Sequence, residues 1–340
     1  MQISSKVPLR HGCLQRRGTC NERGQKGSMG SLLSVLDLKK YYEVRRSVFS
    51  VAKETIKAVD GVSLELEAGR TLGVVGESGS GKSTLARCVL LLERPDAGEV
   101  FFDGVNLLTA GREEMNRLRR QMQIIFQDPY SSLNPRMKIA DIIAEPLKFH
   151  NITKGRANVS AKVGEILRSV GLDEDSLGKY PHEMSGGQRQ RVAIGRALAT
   201  EPALIIADEP VSSLDVSIQA QIVNLFLDIR EKSNISMVFV SHDLNIVRFL
   251  SDRILVLYRG KVVETGGRDE VFLNPLHPYT RMLIKASKGE FALRQEAPSD
   301  GEWEGCSYYE NCEDKEGHCR GQVPELTGGN DHKVACFLNK

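Results

Sequence analysis

The chain lacks what a membrane span or a nucleic-acid reader would need. No run of about eighteen apolar residues occurs anywhere in its 340 residues, so no segment is expected to cross a bilayer as a helix. Charge of one sign is missing as well. The 46 Lys and Arg residues nearly cancel the 44 Asp and Glu residues, leaving a formal net charge of +2. A nucleic-acid partner would require a strongly basic domain, and none is expected here. The first residues, MQISSKVPLRHGCLQRRGTC, hold no apolar stretch of the length a secretory signal needs. A reducing cytoplasm is therefore the expected compartment, and stable disulfides are rare there. No internal repeat is visible.

What is present is a globular composition, 41% apolar, that can build a core. Residues 1–30 stand apart. They are rich in Gly, Ser, Arg and Lys with a single acid, Glu22, and bury too little apolar surface to fold alone. They are expected to form a flexible extension, with Met29 as an alternative start and no special role for Cys13 or Cys20. From Ser31 the stretches LLSVLDLKKYY and AVDGVSLELEAG alternate apolar and polar residues, as half-buried antiparallel strands do. RTLGVVG reads as a short buried strand, and residues 112–150 and 154–180 read as mostly helical. ALIIADEP and SMVFVSHD are continuous apolar runs ended by acids or His, which suits a parallel sheet covered on both faces. After about residue 268 the periodicity fades into a polar, loop-rich tail.

The stretch GESGSGKS, Gly76 to Ser83, fits the phosphate-loop pattern G-x-x-x-x-G-K-[ST] in full, after a strand and before a helix. Gly76, Gly79 and Gly81 let the backbone wrap closely, while Ser78, Ser80 and the loop amides face the anion at a helix N-terminus. Lys82 is expected to contact the β- and γ-phosphates of ATP, Ser83 to ligate Mg²⁺ and Thr84 to lie on the α-phosphate side. Further on, LIIADEP sets Asp208 and Glu209 at the carboxyl end of a buried strand, where open α/β sheets bind ligands. Asp208 suits a Mg²⁺ held through water. Glu209 suits the proton of an attacking water, because phosphoryl transfer needs positioning and charge neutralisation above all.

Between these motifs lies MSGGQRQR, Met184 to Arg191. It resembles the signature motif of ABC-type ATPases, with Met184 in the place of the usual Leu. A lone SGGQ is weak, but this one stands roughly a hundred residues after a phosphate loop and about twenty before an Asp-Glu pair. The resemblance spans roughly residues 31–268 and implies an α/β fold: a P-loop NTPase of the ABC ATPase type. Its parts would be a RecA-like core, an antiparallel β-subdomain and a helical subdomain at about 129–190. It implies that Ser185, Gly186, Gly187 and Gln188 form a second anion cradle, facing the phosphate loop of another subunit across a shared ATP. By the same resemblance Gln127 in IIFQDP senses Mg²⁺ and the membrane partner. Asp215, in the stretch SSLD, lies at the subunit interface. His242 in VSHD contacts the γ-phosphate, and Tyr42, next to Tyr41 and before an insertion at 43–56, stacks on adenine.

Two further stretches, FQDPYSSLNPRM (126–137) and NPLHPYTRML (274–283), are similar to the ATPases of oligopeptide, dipeptide and nickel importers, and the phosphate-loop region resembles their second ATPase subunit. The resemblance implies an ATPase that powers peptide import, with nickel or oligosaccharide as alternative cargo. The implied partners are a paralogous ABC ATPase in a heterodimer, two transmembrane permeases and an extracytoplasmic substrate-binding protein. The implied location is peripheral, on the cytoplasmic face of the inner membrane. A soluble, non-transport ABC ATPase is the other class; such chains usually carry two cassettes or a long coiled-coil insertion, and neither is present. The region 269–340 then forms a C-terminal extension with Cys306, Cys312, Cys319 and Cys336. Their spacing is similar to a motif of peptide-importer ATPases that implies a [4Fe–4S] cluster. Four thiolates suffice for such a cluster or for Zn²⁺, with His318 as a competing zinc ligand, and spacing alone does not separate these from free cysteines. The expectation is a structural iron–sulfur staple, since small loop-rich segments often need a metal to fold.

Overall fold

The computed structural model describes residues 30–45, 53–290, 305–329 and 331–338. Most of the N-terminal extension, with Cys13 and Cys20, lies outside the described residues.

The alternating stretches form an antiparallel sheet. β1 (Ser31–Arg45) pairs with β2 (Lys53–Glu67) on one side and with β4 (Ala97–Phe102) on the other, and β5 (Val105–Asn106) extends the edge. The pairing of β1 with β2 is irregular at several points, one of them at Asp37. Leu33 and Val35 are buried two apart, then a register shift lets Leu38 face the core instead of Asp37. Asp37 takes a left-handed φ of 46°, so one extra residue is absorbed as a bulge and the apolar face is kept.

The continuous apolar runs form the second sheet. β9 (Arg253–Tyr258), β3 (Thr71–Val75), β8 (Ser236–Ser241), β7 (Leu204–Asp208) and β6 (Met122–Ile125) lie parallel in that order. Every residue of β3, β7 and β8 is buried, which explains their uninterrupted apolar composition. On the far edge β10 (Lys261–Gly267), β12 (His332–Val334) and β11 (Thr327–Gly328) add antiparallel.

Two apolar cores flank this sheet. One lies under the antiparallel sheet and joins Leu33, Phe102, Val74 and Leu118 with α1 (Lys82–Val89) and α2 (Arg112–Gln121). The other packs a helical layer: α3 (Pro129–Ser132), α4 (Ile139–Phe149), α5 (Arg156–Ser169) and α6 (Gly186–Leu198). It continues under α7 (Val216–Ser233) and α8 (Leu244–Leu250), where Phe226 meets Phe239 edge to face at 5.6 Å. Each such ring contributes roughly 1.5–3 kcal/mol by leaving water.

The structure departs from the sequence expectation at β6. Met122–Ile125 breaks the helical reading of 112–150. Four residues are too short for periodicity to decide, and the partner is far away in sequence: Ile125 pairs with Ala207. The tail after residue 268 is largely loop. It nevertheless contains α9 (Arg268–Leu273), α10 (Pro278–Ser287) and the two strands that join the main sheet.

Candidate functional site

β3 delivers the chain into the phosphate loop and α1 carries it away. Two glycines make the loop possible. At Gly81, with φ 101°, a Cβ would strike the Ala58 carbonyl, and at Gly76 it would strike the Leu257 carbonyl. Lys82 is 4% exposed, and its ammonium donates to the carbonyls of Gly76 and Glu77, both at 2.8 Å. Burial pulls its pKa down, opposed by the charges of Glu209, Asp208 and Glu77. A cation is thus held at the floor of a loop of backbone amides, which is the arrangement a phosphate needs.

The ends of β7 and β8 complete the site. Ser83 Oγ donates to Asp208 Oδ1 at 2.8 Å, and Asp208 is 2% exposed, so burial raises its pKa against that hydrogen bond. The next residue, Glu209, adopts a left-handed φ of 47° while its N–H donates to the Val240 carbonyl at 3.0 Å. A glutamate in that conformation costs of order 1–3 kcal/mol, so the surroundings must hold it there. The turn aims its carboxylate at three groups. Gln127 Nε2 donates to Oε2 at 3.3 Å, His242 Nδ1 lies 3.2 Å from the same oxygen, and Lys82 Nζ is 3.8 Å from Oε1. Residues from the ends of β3, β6, β7 and β8 therefore meet around one carboxylate.

The remaining sequence candidates lie elsewhere. Ser185 caps α6 by accepting from the Gln188 N–H at 3.3 Å, and Gln188 Oε1 accepts from the Ser185 N–H at 3.0 Å. Gly186 and Gly187 sit against Leu214 and Ile218, so the signature is packed on the segment that carries Asp215, the N-cap residue of α7. Among the described residues no hydrogen bond joins this α6 terminus to the phosphate loop. Tyr42 hydrogen-bonds with Glu93 and Thr84, which holds it beside α1, and burial together with Glu93 pushes its hydroxyl up to about 12. Tyr41 points to the other face, where its hydroxyl donates to Asp60 at 2.6 Å.

The cysteine tail corrects an expectation. Cys306, Cys312, Cys319 and Cys336 do come together, around a cavity of about 20 Å³ that His277 and Tyr308 also line. All are free, and among the described residues no group of three or more His, Cys, Asp or Glu side chains is arranged to hold a metal ion. The iron–sulfur expectation is overturned, and Zn²⁺ at these four residues falls with it. Burial raises the pKa of Cys306 and Cys312. The cysteines instead act as small apolar residues: Cys306 and Cys312 pack against the core beside buried Tyr308. One contact was not anticipated. Tyr279, from the stretch NPLHPYT, accepts the Glu77 N–H of the phosphate loop at 2.9 Å. The only sequence signal for it was that stretch, a run of His, Pro and Tyr with no other assigned work.

The chain matches the family described as ABC transporter over residues 59–212, and the one described as oligopeptide/dipeptide transporter, C-terminal region, over residues 263–319. It is 44% identical over 317 residues to the di/tripeptide transport ATP-binding protein DppF of Pseudomonas aeruginosa, covering 91% of this chain and 98% of that one. It is 45% identical over 319 residues to the oligopeptide transport ATP-binding protein OppF of Escherichia coli, covering 90% and 96%. Among solved structures it is similar to the ATP-binding cassette MJ0796, a dimer bound to ADP and Pi. There the TM-score is 0.62 at 30% identity, covering 69% of this chain and 98% of that one.

Proposed function

This chain belongs to the ABC transporter family, in its peptide-transport ATP-binding branch, and from that premise we propose how its residues hydrolyse ATP and what the hydrolysis drives. It is an ATPase subunit that powers the import of peptides. The observation that carries the mechanism is the meeting of Gln127, His242 and Lys82 on the Glu209 carboxylate, beside the Ser83–Asp208 pair.

Lys82 and the loop amides bind the β- and γ-phosphates, and Tyr42, beside α1, stacks on the adenine. Mg²⁺ fits the two oxygens of Ser83 and Asp208, which are the hard donors it prefers, with the amide oxygen of Gln127 as a further ligand. When bound, it neutralises charge on the phosphates. Glu209 takes the proton of a water that attacks the γ-phosphorus, while the bond from that phosphorus to the ADP oxygen breaks. Gln127 and His242 hold the carboxylate toward that water, and His242 is free to turn its ring to the γ-phosphate oxygens. Proton acceptance by a positioned carboxylate contributes roughly 10²–10⁴-fold.

The subunit works as part of an ATPase dimer with membrane permeases. The capped N-terminus of α6, with Ser185, Gly186, Gly187 and Gln188, serves the nucleotide on the partner's phosphate loop, and Asp215 stands beside it at the interface. The partner is a paralogous ATPase, and an extracytoplasmic binding protein delivers the peptide. Among the described residues no helix is long and apolar enough to cross a membrane, so attachment runs through the permeases, on the cytoplasmic face of the inner membrane. A groove of about 330 Å³ between β6 and the helical layer, lined by Phe126, Leu133, Phe149 and Arg196, suits a short cytoplasmic helix of a permease. Phe126 adjoins Gln127, so docking there is felt in the ATP site. The test is ATP-driven uptake of labelled dipeptide into vesicles carrying the permeases, the partner ATPase and this chain. Uptake should vanish with Lys82→Ala; undiminished uptake would refute the assignment.

A further inference from the structure

The phosphate loop is held from outside as well as from within. Lys82 fixes the carbonyl of Glu77 at 2.8 Å. Its N–H is fixed by Tyr279, fully buried on α10, more than two hundred residues away in sequence. Both polar groups of the Glu77 backbone are therefore pinned. The peptide joining Gly76 to Glu77 carries both this N–H and the Gly76 carbonyl, which also accepts from Lys82 at 2.8 Å, so it cannot rotate unless the tyrosine bond breaks. The other end of the loop has its own tether, from the Gly260 N–H to the Ser80 carbonyl at 2.9 Å.

Tyr279 is itself held tightly. Its N–H donates to His277 Nδ1 at 3.0 Å, the N-cap bond of α10, and Pro278 fills the first helical turn. The turn before it is clamped by Glu264, fully buried, whose carboxylate accepts the N–H groups of Leu276 and His277 at 2.9 and 2.8 Å and lies 2.7 Å from His332 Nε2. The Tyr279 ring packs on Tyr258 and Tyr308, with centroids at 4.5 and 5.4 Å. Tyr308 brings the cysteine-bearing tail onto this cluster, and β12 brings its far end through His332. A continuous set of contacts thus runs from the C-terminal segment to one amide of the phosphate loop.

We propose that Tyr279 is a positioning residue for nucleotide binding: its hydroxyl oxygen orients the Gly76–Glu77 peptide, whose Gly76 carbonyl in turn sets where the Lys82 ammonium stands. The C-terminal segment is then part of the nucleotide site without touching nucleotide. The inference rests on reading this loop as the ATP site. It explains what buried Tyr279, His277 and Glu264 do so far from the chemistry, and why the tail is stapled to the main sheet by β12. Because Lys82 meets the phosphates before and during reaction, a misplaced Lys82 weakens binding more than turnover.

The test uses the full-length chain. Tyr279→Phe keeps the ring and removes the hydroxyl, leaving the Glu77 N–H without its acceptor. The expected result is a rise of about fivefold in the dissociation constant for MgATP and in the KM of the assembled transporter, with kcat within about twofold. Tyr258→Phe is the control. Its hydroxyl bonds Asn311 at 3.3 Å in the same ring cluster and does not touch the loop, so affinity should not change. Equal affinity in Tyr279→Phe and wild type, or an equal loss in both variants, would overturn the proposal. If wild type itself fails to bind MgATP, the ATP reading fails first, and that result is distinct from either. Should Tyr279→Phe not fold, amide exchange in wild type decides. The Glu77 N–H should exchange more slowly than those of Ser78 and Gly79, which no side chain holds among the described residues; equal rates would refute the bond.

Discussion

Lowering the pH from about 7.5 to about 5 should destabilise the protein through one buried imidazole. His277 is 1% exposed, and burial, helped by the Arg281 charge, pushes its pKa from 6.5 down to about 3. Between those values the unfolded chain binds a proton that the folded chain refuses. Stability therefore rises with pH across this window: the contribution is whole above about 6.5 and is lost as pH falls toward 3. The loss amounts to about 1.4 kcal/mol per pH unit below 6.5, so about 2 kcal/mol at pH 5. The geometry agrees, since Nδ1 accepts the Tyr279 N–H and cannot also carry a proton. The assay is denaturant unfolding at several pH values in wild type and His277→Asn, a substitution that can still cap α10. The variant should lose stability less steeply with acid, by about those 2 kcal/mol at pH 5. Parallel stability curves for the two proteins would show that His277 is not held neutral by burial and would refute the reasoning.

Glu209→Gln keeps the shape of the carboxylate but not its basicity; phosphate release should fall by about 10²- to 10⁴-fold while ATP still binds, and turnover at the wild-type rate would remove Glu209 as the base. Ser83→Ala removes the oxygen paired with Asp208, and the Mg²⁺ concentration for half-maximal ATPase activity should rise about tenfold or more; an unshifted Mg²⁺ titration would sink that ligand. Gly81→Ala puts a methyl against the Ala58 carbonyl at a φ of 101°, so strain of about 1–3 kcal/mol should lower the melting temperature and abolish nucleotide binding, as calorimetry would report.

The site was legible wherever its chemistry sits in a contiguous stretch. A phosphate loop is one turn between one strand and one helix, so Gly76 to Ser83 shows itself in the sequence. Asp208 and Glu209 show themselves because a fully buried strand must be apolar until it reaches the edge of the sheet. β6 was less legible, because four residues with a partner far along the chain leave no period to read. The cysteine tail misled for a related reason. Spacing names possible ligands, but only packing shows Cys306 and Cys312 lying against the apolar core, with no group of three or more donors arranged for a metal among the described residues.

The family, the sheet core and the order of the candidate site residues can be read from the sequence, because each depends on local pattern and on residue type. The tertiary structure alone decided which groups meet. Gln127 and His242 converge on Glu209 only because β6, β7 and β8 lie side by side, and the strained turn at Glu209 exists only within that sheet. Tyr279 reaches the Glu77 amide only because β10, β12 and α10 fold the tail back onto the core. Such contacts join residues far apart along the chain, and no local preference encodes a distance that only packing can close.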